Sequence, residues 1–214
     1  MSDKKYFPQV FIPQSFEHAK DIILSSDPTG EKWIKETEQT CQAIVKAFKT
    51  QGQPINEQSL LLDYGCGIGR IAKRLIELTG CSILGLDISP GMLYYSLPYV
   101  NTDRFIPCPQ PRIKTLSEAG MKADGAVAIW ALQHCLEPNT DLKLISEALK
   151  PGSLFFVVNK IARYVPVEPT AGYVNWHDDK SNVLDLIMQD FELIETLPPI
   201  DSVEEGYCKV FRKK

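Results

Sequence analysis

The sequence predicts an α/β fold built around a parallel sheet. Residues 60–62 form a short apolar run bounded by turn signals, as expected for a strand covered on both faces. Residues 71–78 then place apolar side chains at helical spacing, and residues 81–86 form a second apolar strand. Farther along, helical spacing over residues 142–149 precedes a strand at 153–158. Strands that alternate with helices are typical of such a sheet.

The segment between the first strand and its helix predicts a nucleotide-cofactor site. It contains three alternate glycines, Gly65, Gly67 and Gly69. Because glycine lacks Cβ, the chain can turn sharply there and a ligand can lie against bare backbone. The helix that follows brings its free N–H groups to the same place.

The spacing of the glycines distinguishes between two cofactors. A dinucleotide loop reads G-x-G-x-x-G, which would require glycine where Arg70 stands. S-adenosylmethionine has no phosphate; its ammonium needs an acceptor such as Asp63, and its carboxylate can accept loop N–H groups. The pattern D-x-G-x-G-x-G over residues 63–69 supplies both and favours S-adenosylmethionine.

A second acidic residue, Asp87, ends the strand at 81–86, about twenty residues beyond the loop, where nucleotide folds place the acceptor for the ribose hydroxyls. Ile88 and Met92 would then border the adenine.

Four blocks of the chain, in order, resemble the class I S-adenosylmethionine-dependent methyltransferases. They are D-Y-G-C-G-I-G-R (63–70), G-L-D-I-S-P-G-M-L (85–93), A-D-G-A-V-A-I-W-A-L-Q-H-C (123–135) and L-K-P-G-S-L-F-F-V-V (149–158). The resemblance implies a Rossmann-like, seven-stranded, mostly parallel sheet with helices on both faces and an antiparallel C-terminal hairpin. The cofactor-binding residues expected on this basis are Asp63, Gly65, Cys66, Gly67, Gly69, Asp87, Ile88, Met92, Ile129 and Trp130.

One segment outside these four blocks departs from the family pattern. The family usually has an acidic residue after the third strand that touches the adenine amino group, but residues 104–110 contain no carboxylate. The adenine contact there is expected from backbone or from Cys108. A nucleophilic role for Cys108, as in cytosine C5 methyltransferases, is disfavoured because those cysteines follow the fourth strand.

Composition limits the partners. The chain has 23 basic and 27 acidic residues, a net charge of −4, so nucleic acid is an unlikely acceptor. The six cysteines are scattered without a C-x-x-C pair, and no metal site is indicated. No apolar signal core opens the chain, and no run approaches the roughly 18 apolar residues of a membrane span, so a cytoplasmic protein is expected. The oligomeric state stays open.

One methyltransferase domain over residues 1–214 is predicted, in three parts. Residues 1–52 form an N-terminal helical cap, whose aromatics Tyr6, Phe7 and Phe11 either cover the pocket or pack on the sheet. Residues 59–159 form the cofactor-binding core. Residues 160–214 form an acceptor-side loop, irregular over 160–180, then a helix and the terminal hairpin.

Two histidines are candidate general bases, His134 just after the fourth strand and His177 in the acceptor-side loop. The alternatives are a structural role for His134 and a surface position for His177. Tyr173 and Trp176 are expected either to line the acceptor site or to fill the loop's own core.

The predicted function is S-adenosylmethionine-dependent methyl transfer to an oxygen, nitrogen or carboxylate of a small molecule. A non-catalytic S-adenosylmethionine-binding subunit is one alternative. An NAD-dependent oxidoreductase is the other, disfavoured by Arg70 and by the terminal hairpin.

Overall fold

The computed structural model describes residues 5–24, 27, 29–170, 173–177, 181–200 and 206–214. The strands are β1 Leu60–Tyr64, β2 Ser82–Asp87, β3 Phe105–Pro109, β4 Ala123–Ile129, β5 Leu149–Lys160, β6 Val165–Thr170, β7 Tyr173–His177, β8 Phe191–Leu197 and β9 Gly206–Lys213. The α-helices are α1 Phe16–Ile23, α2 Glu31–Thr50, α3 Arg70–Thr79, α4 Pro90–Val100, α5 Arg112–Glu118, α6 Pro138–Ala148 and α7 Val183–Asp190. Within the described ranges, no helix is both long and apolar enough to span a bilayer.

Seven strands form one sheet in the order β3-β2-β1-β4-β5-β9-β8. The first five are parallel, and β9 runs antiparallel to both β5 and β8. The predicted seven-stranded fold with an antiparallel C-terminal hairpin is therefore confirmed. The chain winds outward from β1 to β3 and then returns to β4, so the strand order reverses between β1 and β4. Ligands of open α/β sheets bind at the carboxyl edge beside such a reversal.

Both faces of the sheet are covered. Helices α2, α3 and α4 contribute to one buried apolar cluster, and α5, α6 and α7 contribute to a second. Successive side chains of a strand point to opposite faces, so Leu61 belongs to the first cluster and Leu62 to the second. The apolar run of β1 thus reflects burial on both sides, as its sequence indicates.

The described part of residues 160–180 is more ordered than expected. Strands β6 and β7 pair there as a small antiparallel sheet. The N-terminal segment extends this sheet, because Tyr6 bridges Val167 and the Phe7 N–H donates to the Pro166 carbonyl at 3.0 Å. The prediction of an irregular loop was wrong. It relied on the prolines of β6, which are typical of loops, but the Pro166 carbonyl still accepts a hydrogen bond from the N-terminal segment.

Candidate functional site

A cavity of about 690 Å³ lies at the carboxyl edge of the sheet, within the roughly 300–1,000 Å³ typical of small-molecule sites. The predicted site residues that line it are Gly65, Gly67, Asp87, Ile88, Met92, Ile129, Trp130 and His134. Asp63, Cys66, Gly69 and His177 are not among its lining residues. Of the N-terminal aromatics, Tyr6 and Phe11 line it and Phe7 does not.

Two loop glycines are required by close approach and by backbone angle. A Cβ at Gly65 would lie 2.3 Å from the Ala131 Cβ, and one at Gly67 would lie 2.7 Å from the Ile23 Cδ1. Both glycines have positive φ, +75° and +55°, which L side chains rarely adopt. The loop therefore presents bare backbone to the cavity.

The Asp87 carboxylate holds this loop in place. Its Oδ2 accepts the Gly67 N–H and its Oδ1 accepts the Ser89 N–H, each at 2.8 Å. Burial raises the pKa of Asp87 to about 6, against the lowering effect of these N–H donors, so the group is ionised at pH 7.5. Each oxygen keeps a second lone pair that can accept a ligand hydroxyl.

Asp63 lies behind the cavity wall. It is 2% exposed, and its Oδ2 has no hydrogen-bond partner among the described residues. Burial, followed by the nearby charge of Asp87, raises the pKa of Asp63 to about 7, while Arg70 lowers it. The carboxylate expected to accept a ligand ammonium is therefore not on the cavity surface.

Two other loop residues serve packing rather than the cavity wall. The Cys66 side chain is buried in the core cluster beneath the loop, within hydrogen-bond range of the Gly67 carbonyl. Gly69 precedes α3 with φ +80°, and a Cβ there would lie 2.5 Å from the Val100 Cγ2. This glycine permits α3 to approach α4 closely.

Helix α2 contributes a buried ion pair to the cavity wall. The Glu36 Oε1 accepts from Arg70 Nη2 at 2.9 Å and from Trp130 Nε1 at 3.1 Å, and both charged side chains are 4% exposed. The guanidinium carbon also lies 5.3 Å from the Trp33 ring centroid. Trp130 has φ +57°, unusual outside glycine, and its side-chain bond to Glu36 helps to hold it there. The charges of this pair neutralise each other.

The position after β3 carries an amide in place of the family's carboxylate. Gln110 Nε2 donates to the Tyr64 hydroxyl oxygen and to Asp141 Oδ1, each at 2.5 Å, and all three side chains line the cavity. Cys108, the side chain suggested for the adenine contact, instead packs in the core, where burial raises its pKa. It is not among the residues that line the cavity.

His134 ends a 3-10 turn after β4, and its hydrogen bonds define its tautomer. Nδ1 lies 2.7 Å from the Tyr164 carbonyl, which can only accept, so Nδ1 carries the proton. Gln133 accepts the Lys160 N–H through Oε1, so its Nε2 donates to His134 Nε2 at 3.2 Å. Burial lowers the pKa of His134, and the charge of Lys160 adds to this. The imidazole is therefore neutral, and its Nε2 lone pair accepts from the Gln133 amide.

Three rings meet at this end of the cavity. His134 lies 5.5 Å from both Phe11 and Trp176, centroid to centroid. His177 follows Trp176 in β7, where successive side chains point to opposite faces, so it does not share the cavity wall. Tyr173 lies in β7, but its side chain falls outside the described part of the chain. Of the two candidate bases, the structure brings only His134 to the cavity.

Similarities to known proteins agree with this fold. A family model described as a methyltransferase domain matches residues 62–157, from β1 into β5. The chain is also 25% identical over 179 residues to the Bacillus subtilis (strain 168) protein YqeM, whose name is that of a methyltransferase; the match covers 80% of this chain and 65% of YqeM. These matches support a methyltransferase domain of the class I S-adenosylmethionine-dependent family over residues 62–157.

Two further similarities bear on this chain. It is 29% identical over 98 residues to a ubiquinone biosynthesis O-methyltransferase of Methylobacterium nodulans, across 45% of this chain and 39% of that protein. Its fold matches magnesium protoporphyrin IX methyltransferase from Synechocystis PCC 6803, solved with bound S-adenosylmethionine, at a TM-score of 0.61 and 15% identity, covering 96% and 94% of the two chains. The chain spans less than two thirds of YqeM and of the ubiquinone biosynthesis O-methyltransferase.

Several cavity residues could not be identified from the sequence motifs. Glu36 lies 34 positions before its partner Arg70, and no local pattern predicts that pair. Tyr64 stands inside the glycine motif, where strand alternation predicts that it faces away from Asp63. Lys160 ends β5, so the rule that ligands bind at carboxyl ends of strands would have identified it.

Proposed function

We propose that this methyltransferase transfers the methyl group of S-adenosylmethionine to an oxygen, nitrogen or carboxylate of a small molecule in the cytoplasm. The observation that carries the proposal is a single cavity that joins the bare glycine loop and Asp87 to a neutral His134. The net charge of the chain, −4, further favours a small acceptor over nucleic acid.

The residues present fit the adenosyl part of the cofactor. The loop at Gly65 and Gly67 leaves room that a Cβ would fill, and Asp87 keeps lone pairs for two ribose hydroxyls. Ile88 and Met92 offer apolar contacts to the adenine, and Gln110 offers a polar one. S-adenosylmethionine would supply a methyl group on an already activated sulfonium.

The remaining work of the enzyme is alignment, exclusion of water and proton removal. Tyr6 and Phe11 cover the cavity from the N-terminal side, and Trp176 covers it from β7. His134 can accept a proton at Nε2 from an acceptor hydroxyl or amine, because its Nδ1–H is fixed on the Tyr164 carbonyl. The acceptor would replace the Gln133 amide as the partner of Nε2.

Titration calorimetry with S-adenosylmethionine, S-adenosylhomocysteine and NAD tests the proposal. We expect both adenosyl compounds to bind at micromolar concentrations and NAD not to bind, since Arg70 replaces the third glycine of a dinucleotide loop. Comparable binding of NAD would overturn the cofactor assignment. Binding of S-adenosylmethionine without turnover of any acceptor would instead favour the non-catalytic subunit.

Replacing Asp87 with alanine should weaken S-adenosylhomocysteine binding by about 10- to 100-fold, since a hydrogen bond to a charged acceptor contributes about 1.5 to 3 kcal/mol. Calorimetry at pH 7.5, where Asp87 is ionised, measures the change. Because Asp87 also holds the loop, Asp87→Asn serves as a second variant that keeps an acceptor oxygen. The exposed Asp103→Ala is the control. An unchanged dissociation constant for Asp87→Ala would place the ribose elsewhere.

A further inference from the structure

Lys160 occupies the acceptor end of the cavity. It is the last residue of β5 and one of the lining side chains. In the sheet order, β2 with Asp87 and β5 with Lys160 are separated by β1 and β4, three strand spacings of roughly 4.8 Å each. Lys160 therefore lies well away from the ribose acceptor and close to His134, whose partner Gln133 binds the Lys160 N–H.

The Lys160 ammonium has an aromatic contact in place of a counter-ion. Its Nζ lies 4.9 Å from the Tyr164 ring centroid, and no carboxylate of the described residues is within ion-pair distance. Arg70, another cation of the cavity wall, is paired with Glu36. A half-buried cation beside an aromatic ring is only partly compensated, so an anionic ligand group would be stabilised there.

The cavity wall beside His134 includes apolar surfaces. Phe11 and Trp176 pack against the His134 ring, and Leu136 leaves 47% of its surface exposed at the cavity. Glu137 also lines the cavity, but it is exposed at the rim, where water screens its charge. Among the described residues, this end of the site therefore combines a positive charge that has no carboxylate at ion-pair distance with apolar ring surfaces.

We propose that the methyl acceptor is an aromatic or otherwise apolar acid, and that Lys160 binds its carboxylate. The inference rests on the proposed function, because it assigns this end of the cavity to the acceptor. A carboxylate held by Lys160 would place the apolar body against Phe11 and Trp176, within reach of His134. Neutral and cationic analogues would leave the ammonium without its partner.

Calorimetry on protein saturated with S-adenosylhomocysteine tests this with matched acids and amides. The probes are 4-hydroxybenzoate against 4-hydroxybenzamide, and indole-3-acetate against indole-3-acetamide. We expect at least one acid to bind about 10- to 100-fold more tightly than its amide, the effect of one charge-assisted contact. Lys160→Met should abolish the preference, and Lys160→Arg should keep it.

The exposed Lys114→Met is the control and should bind the acid as wild type does. Acids and amides binding alike, no acid binding at all, or a preference that survives in Lys160→Met would each overturn the inference. Failure of S-adenosylhomocysteine itself to bind would instead contradict the proposed function. The two failures are therefore distinguishable in one titration series.

Discussion

Replacement of Gly67 by valine should reduce S-adenosylhomocysteine affinity by more than about 100-fold, the largest binding effect expected of a single substitution here. Two physical effects combine. The backbone at Gly67 has φ +55°, which a β-branched residue adopts only at a cost of about 1–2 kcal/mol. The new side chain would also project toward Ile23, across the surface proposed for the ligand.

A matched glycine separates these two effects. Gly152 also has positive φ, +75°, but a Cβ there would meet nothing within 4 Å, and it does not line the cavity. Gly152→Val should therefore lower stability without changing the dissociation constant measured by calorimetry. Wild-type affinity in a folded Gly67→Val protein would show that the cofactor loop is misplaced.

The residues proposed for the cofactor can be found from the sequence because their signals are local. The strand, the alternating glycines and Asp87 each follow from the spacing of neighbouring residues, and the cavity contains Gly65, Gly67 and Asp87 as expected. Asp63 shows the limit of such reasoning. The motif identifies an acidic residue, but strand alternation turns its side chain behind the wall.

The acceptor half depends on contacts between distant segments. The cover over His134 is made by Phe11 from the N-terminal segment and Trp176 from β7. Tyr6 pairs with Val167 and so joins those segments, but no periodic pattern in the sequence predicts this pairing. Because one fold serves many acceptors, the identity of the acceptor has to be argued from such side chains, of which Lys160 is the most informative.

Replacement of His134 by asparagine should lower turnover by about 10²- to 10⁴-fold while S-adenosylhomocysteine affinity stays nearly unchanged. The asparagine amide can still donate to the Tyr164 carbonyl, as Nδ1 does now, but it offers no base in place of Nε2. Turnover is measured as release of S-adenosylhomocysteine in the presence of an acid that the wild-type protein methylates. Affinity is measured by calorimetry. Because burial lowers the pKa of His134, its imidazole should stay neutral until the pH falls below the ordinary titration range of histidine. Wild-type turnover should therefore persist down to that pH.

His177→Asn is the matched control, because it changes a histidine that is close in the chain to Trp176 but absent from the cavity wall. It should retain wild-type turnover. If His134→Asn also retains full turnover, the enzyme acts through positioning alone, which displacement from an activated sulfonium permits. If both turnover and cofactor affinity fall together, His134 instead holds the segment after β4 through Tyr164 and the rings of Phe11 and Trp176. Only a selective loss of turnover identifies His134 as the group that removes the acceptor's proton.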